Sequence, residues 1–474
     1  MALDEQKVSA IVEAVMDRLK KDAVVSPGAP AISTSLRDTG RAGIFQDVDS
    51  AVGAARAAYQ RMAQTSLEVR AAAIKAMRDV TMANLEQLSR MAVEETGLGR
   101  VEDKIGKNRL AALKTPGLEI LAPRAYSGDN GLALVERAAY GVICSITPCT
   151  NATETVINNC IGMIAGGNAV VINPHPTAKK TTVHYIRMLN EAMTGAGAPD
   201  NMICTVPEPT IESAQKLMSH PGVNLVVVTG GPAVVKAAMS TGKKCIAAGP
   251  GNPPVVVDET ARLDRAARGI IAGASLDNNI VCIVEKEVLA VEAIADRLKQ
   301  ELVRAGAYYI KDALVPRVTK LVIDGEHANK AFVGKNPSVI LREVGVDIGD
   351  EVRLAFCEVD EGHPLVQVEQ LMPIMPFVRV RNVDEAINTA VRVEHGFRHT
   401  AVMHSLNIEN LHNFARRADT SIFVKNAPSS AGLGLDGEGY TSWTIASPTG
   451  EGLTTALNFT RERRCTLKDY FRIV

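Results

Sequence analysis

The chain opens with a helical pattern of hydrophobic residues. Within residues 1–21, apolar side chains recur at spacings of three and one, which places them on one face of a helix; they are Val8, Ile11, Val12, Val15, Met16 and Leu19. Residues 22–40, with the run Ser26–Pro30, predict a flexible linker. A lone helix of this length is marginal in water. The predicted amphipathic helix therefore either docks onto a partner or folds back on its own domain, and composition leaves both readings open.

After the linker, short apolar runs alternate with helix-periodic segments. A helix is predicted after Asp49, ending at Met62, and a second over 67–95. Predicted strands follow at 141–146, 169–172, 223–228, 255–257, 282–284 and 376–380, and predicted helices at 155–165, 177–195 and 210–219. Because strand–helix alternation produces parallel βαβ units, the sequence predicts an α/β protein with two domains that meet near Gly249.

Composition and charge exclude several classes of function. The formal net charge is −1 and charged residues make up 22% of the chain, so there is no basic field to attract nucleic acid. No apolar run reaches the length of a transmembrane helix, so no membrane partner is expected. The 8 cysteines lie apart without CxxC pairs, which indicates reduced thiols and neither a disulfide framework nor a zinc site.

One cysteine stands in a setting typical of a nucleophile. Cys282 lies in an apolar, strand-like run directly after the polar turn 277–279. A turn that delivers a thiol on the end of a strand holds it rigidly with one open side. The alternative is a buried core cysteine, which is the commoner fate of a lone cysteine among apolar neighbours. The residues alone leave both alternatives open.

Three further segments are candidates for a binding site: two junctions between a strand and a helix, and one passage that leads into the second domain. Asn151 follows a predicted strand and either directs its side-chain NH2 into a cleft or caps the next helix. The turn 229–231 exposes backbone N–H groups before a helix, which suits an anion, although such turns are usually only tight connections and the GxGxxG fingerprint is absent. Residues 249–254 form a passage poor in side chains, which either admits a ligand or links two domains.

Together these segments resemble the aldehyde dehydrogenase superfamily, and in particular its CoA-acylating branch, represented by the propionaldehyde and acetaldehyde dehydrogenases of bacterial microcompartments. The resemblance covers nearly the whole chain. Its motifs lie, in family order, at 148–151, 156–159, 173–176, 249–254, 277–287, 369–373, 395–400 and 448–452. With so many motifs in order, the resemblance favours Cys282 as the nucleophile over a core cysteine.

The resemblance implies two Rossmann-like α/β domains and an oligomerisation element. The dinucleotide-binding domain would comprise 41–121 and 141–248, and the catalytic domain 249–445, with Cys282 within it. Residues 122–140 contain the turn 127–131 between extended stretches, which predicts a β-hairpin. By resemblance this hairpin and the tail 446–474 would join subunits into a homodimer or homotetramer.

The resemblance also assigns roles to the site residues. The Cys282 thiolate would attack an aldehyde, and the Asn151 side chain with the Cys282 backbone N–H would hold the resulting oxyanion. NAD would then accept a hydride. Residues assigned to cofactor binding are Thr147, Pro148, Pro174, His175, Thr229, Gly230, Gly231, Gly249, Pro250, Gly251, Glu369 and Leu371. Among these, Glu369 would contact the nicotinamide ribose, although an exposed surface glutamate is the usual alternative.

Two departures from the family pattern imply CoA as cosubstrate. Hydrolytic members carry a water-activating Glu where this chain has Ala248, so thiolysis by CoA is favoured for release of the acyl group. Members that hold the dinucleotide firmly use Lys and Glu where Asn173 and Pro176 stand. Weaker anchoring of the adenosine ribose would let CoA enter the same cleft after the dinucleotide leaves.

The remaining expectations concern His residues, location and rival functions. His395 and His399 could form a metal pair on a helix, but the intervening glycine favours a loop and no metal is expected; His399 could instead accept the CoA proton or be a core histidine. By resemblance the N-terminal helix would bind a microcompartment shell protein and place the enzyme in the lumen of a compartment in the bacterial cytoplasm. The substrate would be propanal or acetaldehyde. The rival readings are a hydrolytic aldehyde dehydrogenase and a non-catalytic cargo or scaffold protein.

Overall fold

A computed structural model describes residues 42–473, which are built around parallel β-sheets. In chain order the strands are β1 Arg124–Gly128, β2 Gly131–Ala139, β3 Val142–Thr147, β4 Ala169–Pro174, β5 Ile203–Thr205, β6 Leu225–Thr229, β7 Cys245–Ala248, β8 Pro254–Val257, β9 Glu287–Val291, β10 Tyr308–Tyr309, β11 Ile323–Asp324, β12 His327–Ala328, β13 Ala355–Glu358, β14 Ile374–Val380, β15 Thr400–His404, β16 Ile422–Lys425, β17 Ile445–Ala446, β18 Gly452–Leu453 and β19 Thr460–Lys468.

Helices connect most of these strands. In chain order they are α1 Val48–Met62, α2 Leu67–Ala83, α3 Leu85–Thr96, α4 Val101–Lys114, α5 Ala152–Ala165, α6 Lys179–Gly195, α7 Ile211–Ser219, α8 Pro232–Met239, α9 Leu263–Ala274, α10 Glu292–Arg304, α11 Val315–Val322, α12 Pro337–Arg342, α13 Pro364–Gln367, α14 Val383–Val393 and α15 Ile408–Ala418. Among the described residues, no helix combines the length and the apolar character needed to cross a membrane.

Two sheets contain only parallel pairings, which confirms the predicted α/β fold. The first sheet has the order β5-β4-β3-β6-β7, and the second has the order β10-β13-β14-β9-β8-β15-β16. Every residue of β3, β4, β8 and β9 is buried. Such continuous apolar runs are what a parallel sheet needs when helices cover both of its faces. One apolar core contains residues of both sheets, among them Val228 and Val288.

The predicted hairpin is present in a third, antiparallel sheet. Strand β1 pairs with β2 through the turn between Gly128 and Gly131, and β19 pairs with the other edge of β2 over nine residues. All five residues of β1 are exposed, and all of β19 after Thr460 is exposed. The sheet order β1-β2-β19 therefore leaves both outer strands with an unpaired edge among the described residues.

The helices near the start of the described chain differ from the prediction in detail. The predicted helix 67–95 is two helices, α2 and α3, separated at Asn84, whose backbone is not helical. Helix α1 starts one residue before Asp49, because Asp47 is the capping residue and its Oδ1 accepts the Ser50 N–H at 2.9 Å. Helix α4 was not predicted, since its charged residues obscure the hydrophobic spacing.

The predicted strand 282–284 is wrong. Residues 280–286 form an irregular, buried segment, and the strand begins at Glu287. Three consecutive residues, Asp277, Asn278 and Asn279, have left-handed φ angles of 50°, 53° and 68° and turn the chain away from any extended path. Short apolar runs do not distinguish a strand from another buried segment, and here the burial comes from the fold around the loop.

The predicted helix 1–21 and linker 22–40 lie outside the described residues, which begin at 42.

Candidate active site

One end of the first sheet brings together several residues predicted to bind the dinucleotide. Thr147 and Pro174 are the last residues of β3 and β4 and are paired in register. Thr229 and Ala248 are the last residues of β6 and β7 and are likewise paired. The carboxyl ends of parallel strands are where open α/β sheets bind ligands. Four strands therefore end at one cleft edge, and Ala248 presents only a methyl group there.

The glycine turn after β6 exposes backbone at this edge. The Gly230 N–H donates to the Ala248 carbonyl oxygen at 3.2 Å. Gly231 precedes the first residue of α8 and is exposed. A Cβ atom added at Gly231 would meet no atom within 4 Å, so the space beside this backbone is open. An open backbone at a helix start can accept an anionic group such as a pyrophosphate.

The residues after β3 and β4 are placed around the same edge with different surroundings. The buried hydroxyl of Thr147 has no hydrogen-bond partner among the described residues, and Pro148 is partly exposed. His175 is exposed and its Nδ1 lies 2.8 Å from the hydroxyl of Thr177. The side-chain oxygen of Asn173 accepts the Ser213 hydroxyl at 2.6 Å. Asn173 is thus tied to α7.

Gly251 belongs to the glycine-rich passage 249–254. It packs against residues 277–286, the nucleophile segment, which contains Cys282. A Cβ atom added at Gly251 would lie 2.7 Å from the carbonyl oxygen of Cys282 and 3.0 Å from the Cγ atom of His399. The Gly251 N–H donates to Glu369 Oε1 at 3.3 Å. Gly251 therefore packs against three predicted or considered site residues at once. Pro250 is partly exposed beside it, and Gly249 packs close to Pro448.

Cys282 is the one residue between 277 and 291 that is not fully buried. Burial and the negative charge of Glu369 raise the pKa of its thiol to about 12, while Lys286 and Lys107 act in the opposite direction. The thiol is therefore protonated at rest near neutral pH. The partial exposure of Cys282 leaves its sulfur accessible, as a nucleophile requires, whereas the raised pKa means that the thiolate has to be generated for the reaction.

A buried lysine lies at the centre of the polar groups near Cys282. Burial alone would lower the pKa of Lys286, and it does so, to about 8, although the neighbouring carboxylates oppose the shift. The Lys286 Nζ donates to the carbonyl oxygen and to the side-chain oxygen of Asn279, at 2.9 and 2.6 Å. These bonds fix the loop around the ammonium group. They place a positive charge four residues after the nucleophile.

Asn151 stands at the position before α5 but does not cap that helix. Its side-chain oxygen accepts the Lys107 ammonium at 2.7 Å, and its NH2 group lies 3.3 Å from the Thr150 hydroxyl. Lys107 also pairs with Asp277 at 2.5 Å. The helix-cap alternative for Asn151 is therefore not what the structure has, and the amide NH2 group donates one long hydrogen bond, to the Thr150 hydroxyl.

His399 and His395 lie on a loop and point to different surroundings. His395 has a φ angle of 59° and its Nε2 lies 3.1 Å from the carbonyl oxygen of Gln367. His399 is fully buried, its Nδ1 lies 2.9 Å from the Thr400 hydroxyl, and its Nε2 has no partner among the described residues. Burial lowers the pKa of His399 to about 4, so the ring is neutral. No group of three metal-ligating side chains occurs within 42–473.

Glu369 and Leu371 were both predicted at the cofactor cleft. Glu369 is partly buried and contacts Gly251, so it is not a solvated surface charge; burial raises the pKa of its carboxyl group. The Leu371 carbonyl oxygen accepts the Gly334 N–H at 2.9 Å, and Leu371 itself has a φ angle of 54°. The described contacts of Leu371 are with this neighbouring loop. They do not join it to Gly251 or Cys282.

An apolar cavity of about 160 Å³ borders Lys107. Its wall includes Leu276, the residue before Asp277, and Trp443, whose ring centroid lies 5.4 Å from the Lys107 ammonium. The other apolar wall residues are Leu110, Leu433 and Leu435. The cavity thus adjoins both Lys107, which is bonded to Asn151, and Leu276, which precedes the nucleophile segment.

Comparison with known proteins agrees with this arrangement. The sequence profile of the aldehyde dehydrogenase family matches residues 22–319. The chain is 46% identical to the acetaldehyde dehydrogenase (acetylating) EutE of Salmonella typhimurium, and the alignment covers 100% of both chains. This chain belongs to the aldehyde dehydrogenase family.

Solved structures of this family share the fold. A propionaldehyde dehydrogenase of Rhodopseudomonas palustris, with bound CoA and an acylated cysteine, has a TM-score of 0.89 at 49% identity, over 90% of this chain and 98% of that one. A propionaldehyde dehydrogenase from the fucose utilisation microcompartment of Clostridium phytofermentans has a TM-score of 0.90 at 47% identity, over 91% and 100%. These likenesses extend over both parallel sheets.

Within this aldehyde dehydrogenase fold, sequence reasoning missed the charged residues that support the site. Lys104, Lys107 and Lys286 are each at most 2% exposed. In the sequence the first two look like the solvated face of a charged helix. The signal that could have found them is the pair of carboxylates, Asp277 and Glu154, that lies in otherwise apolar or catalytic segments and needs a buried counter-charge.

Proposed function

We propose that this protein catalyses the NAD-dependent, CoA-acylating oxidation of a short aliphatic aldehyde, propanal or acetaldehyde, to the acyl-CoA. The observation that carries the proposal is the combination of a partly open Cys282 thiol with an Asn151 amide whose oxygen is occupied by Lys107. The relatives named above, which include an acetylating acetaldehyde dehydrogenase and a propionaldehyde dehydrogenase with bound CoA, support it.

In the first step the Cys282 thiol gives up its proton to solvent water, and the resulting thiolate attacks the aldehyde carbon. A bond forms between Sγ and that carbon, and the carbonyl oxygen takes the negative charge. The Asn151 NH2 group and the Cys282 backbone N–H would donate hydrogen bonds to this oxyanion, which lowers the barrier because both donors are already oriented. The positive charges of Lys286 and Lys107 offset part of the rise in the Cys282 pKa that burial and Glu369 cause.

The open backbone at Gly231 and the carboxylate of Glu369 fit a dinucleotide. Bound NAD would supply a hydride acceptor for the carbon attached to Cys282. Thr229, Gly230 and Gly231 would hold the pyrophosphate, Glu369 would contact the nicotinamide ribose, and Thr147, Pro148, Pro174 and His175 would line the remainder of the cofactor site. Gly249, Pro250 and Gly251 would let the ligand approach the backbone, with Leu371 at the rim.

The acyl group would then remain on Cys282 as a thioester. Ala248 is buried at the end of β7 and has no carboxylate with which to activate water. Release is therefore assigned to CoA, whose thiol attacks the thioester carbon while the bond to the Cys282 sulfur breaks. The unpartnered Nε2 atom of the neutral His399 ring would accept the CoA proton.

Nucleotide and CoA are proposed to use the cleft in turn. The Asn173 side chain is bonded to Ser213, and Pro176 provides no side-chain donor, so neither grips an adenosine ribose as a Lys–Glu pair would. Competition kinetics in which CoA and NAD exclude each other are expected. Simultaneous binding of both would contradict the shared cleft.

The aldehyde's alkyl chain is proposed to lie in the apolar cavity beside Lys107. Its leucine walls and Trp443 suit a hydrocarbon chain, and the cavity adjoins Leu276 next to the nucleophile segment. The cavity is also lined by Glu102, Asp103, Lys107 and Ser430. A mainly hydrophobic wall with some polar groups is the usual composition of small-molecule sites.

The deciding experiment measures NADH formation from acetaldehyde, propanal and butanal with and without CoA. The proposal expects turnover that needs CoA and yields acyl-CoA, and it expects the Cys282→Ala variant to be inactive. Full-rate oxidation to the free acid without CoA would support a hydrolytic enzyme instead. If no aldehyde is oxidised either with or without CoA, a cargo or scaffold role is supported.

The N-terminal segment is proposed to direct the enzyme to a bacterial microcompartment. The support is the amphipathic pattern of residues 1–21 in the sequence and the likeness to an enzyme from such a compartment. Deleting residues 1–21 is expected to leave turnover nearly intact and to abolish co-purification with shell protein. Loss of both together would indicate that the segment serves the fold.

A further inference from the structure

Lys107 on α4 connects the two halves of the proposed oxyanion site. Its Nζ donates to Asn151 Oδ1 at 2.7 Å and to Asp277 Oδ2 at 2.5 Å, and Glu154 Oε1 lies 3.2 Å away. Its side chain is 2% exposed. Asn151 supplies one proposed oxyanion donor, and Asp277 opens the irregular segment that leads to the other donor, the Cys282 backbone N–H.

An asparagine amide can face either way, and only one orientation serves an oxyanion. The NH2 group donates two hydrogen bonds, whereas the oxygen only accepts them. An ammonium group has donors and no acceptor, so it can bond only the oxygen of the Asn151 amide. With the oxygen held by Lys107, the NH2 group is directed away from the lysine. Without that bond, the long hydrogen bond from the NH2 group to the Thr150 hydroxyl is what remains to oppose rotation of the amide.

The Lys107 ammonium keeps its charge in this buried place. Burial alone would lower the pKa of Lys107, but the carboxylates of Asp277 and Glu154 more than offset it and raise the pKa above its ordinary value. The same pairing holds the pKa of Asp277 below its ordinary value in spite of burial, through Lys104 and Lys107. Lys107 and Asp277 are therefore ionised, and the bonds that the Lys107 ammonium donates are charge-assisted and directional.

We propose that Lys107 is a positioning residue that orients the Asn151 amide for oxyanion binding and ties it to the nucleophile segment through Asp277. This inference rests on the proposed acyl chemistry at Cys282. Lys107 acts through Asn151 and does not itself touch the reacting atoms.

Lys104 provides a matched control in the same helix. It is equally buried, at 1% exposure, and donates to the same oxygen, Asp277 Oδ2, at 2.8 Å. Its second partner is the carbonyl oxygen of Thr150, at 3.1 Å, and not the Asn151 side chain. Replacing Lys104 removes one of the two buried ammonium groups that pair with Asp277. The bond from Lys107 to Asn151 stays in place.

The test compares two reactions of Cys282 in the full-length protein. Acylation by p-nitrophenyl propionate passes through a tetrahedral oxyanion and releases p-nitrophenolate, with no need for NAD. Alkylation by iodoacetamide displaces iodide and forms no oxyanion. Lys107→Met is expected to slow acylation about tenfold to a hundredfold, because losing one oxyanion donor outright costs about a hundredfold or more. Alkylation should change by less than about threefold, the effect of half a pKa unit on the thiol.

Lys107→Gln and the double variant sharpen the test. The glutamine amide can donate to Asn151 without a charge, so Lys107→Gln is expected to recover part of the acylation rate; it also serves if Lys107→Met fails to fold. Acylation by the Lys107→Met/Asn151→Ala double variant should be no slower than by Asn151→Ala alone, because residues that act as a unit are non-additive. Lys104→Met is expected to lower both reactions by similar factors.

Three results would overturn the inference. Equal losses of acylation and alkylation in Lys107→Met would show that the lysine only supports the loop. Losses that multiply in the double variant would show that it acts independently of Asn151. A preferential loss of acylation in Lys104→Met as large as in Lys107→Met would assign the effect to Asp277. Wild-type protein that is acylated by the ester but does not oxidise aldehydes would refute the proposed function and leave this test intact.

Discussion

At the scale of single residues, the nucleophile is held in a low-reactivity state by its own surroundings. Burial and the carboxylate of Glu369 raise the pKa of the Cys282 thiol to about 12, and the nearby cation of Lys286 is the main opposing charge. A protonated thiol is a poor nucleophile, so the free protein should protect Cys282 from unwanted reaction. The same balance makes the reactivity of Cys282 depend on pH and on Lys286.

The first prediction concerns that pH dependence. Because the pKa of Cys282 is raised, the thiolate fraction at pH 7 is small and grows about tenfold for each pH unit below the pKa. The rate of Cys282 alkylation by iodoacetamide should therefore still be rising at pH 9 to 10, beyond the range of an ordinary thiol. The Lys286→Met variant should raise the pKa further and slow alkylation about tenfold or more at pH 8. Mass spectrometry of the modified peptide provides the measurement, with Cys282→Ala as the control for other cysteines. A plateau reached below pH 8 would contradict the prediction.

The sequence made some of the site predictable and hid the rest for a physical reason. Local patterns along the chain singled out Cys282, Asn151 and the glycine turns, but each kept a structural alternative until the family resemblance favoured a functional role, and those roles stay predictions. Lys107 could not be named from the sequence. The carboxylate that pairs with its buried ammonium group belongs to Asp277, which lies 170 residues away in sequence. A charged side chain looks solvated until its distant partner is known.

At the scale of elements, the nucleophile segment owes its shape to polar residues. The run from Ile280 to Val284 looks like a strand because it is apolar, yet Asn279 donates to the carbonyl oxygens of Ala274 and Glu285, at 2.7 and 2.9 Å, and closes the chain into a loop. Glu285 in turn accepts both the N–H and the hydroxyl of Ser429, at 2.8 and 2.6 Å. The buried regular strands were predictable from their alternation with helices, whereas this loop depends on contacts between distant segments.

The second prediction tests how the segment is held from outside. Gly99 has a φ angle of 76°, and a Cβ atom added there would lie 1.9 Å from Asp277 Oδ1. Gly97 has a similar φ angle of 67°, but an added Cβ atom would meet only the flexible end of Lys335, at 3.1 Å. Each Gly→Ala change should cost roughly 1–2 kcal/mol of folding free energy from the left-handed backbone. Gly99→Ala should also displace Asp277 and reduce turnover at least tenfold more than Gly97→Ala, an effect of more than about 1.4 kcal/mol on the barrier.

Denaturant unfolding and steady-state turnover of the two variants separate these effects. Gly99→Ala is expected to lose more stability than Gly97→Ala, because its methyl group meets the buried Asp277 carboxylate, and to lose at least tenfold more turnover per folded molecule. If both variants lose turnover equally, the position of Asp277 does not govern the nucleophile.

At the scale of the whole molecule, the antiparallel sheet β1-β2-β19 has two exposed edge strands that no other described part of the chain covers. Strands β1 and β19 form its two edges, and nine-residue β19 is exposed after its first residue. Long edge strands with unpaired backbone groups are usually covered by another element or another subunit. Tyr126 and Leu467 add exposed apolar surface to these strands, at 55% and 43% exposure.

The last prediction is that this sheet joins subunits, as proposed from the resemblance. The Tyr126→Lys/Leu467→Lys variant places charges on both edge strands and should shift the protein from a dimer or tetramer to a smaller species, measured by size-exclusion chromatography with light scattering. Leu67→Lys is the matched control, because Leu67 is 63% exposed and lies at the start of α2, outside the sheet. Circular dichroism should show that all variants remain folded, since the substituted side chains contribute little to the core. An unchanged assembly in the double variant would locate the subunit contact elsewhere. A monomeric wild-type protein would remove the need for a partner at this sheet.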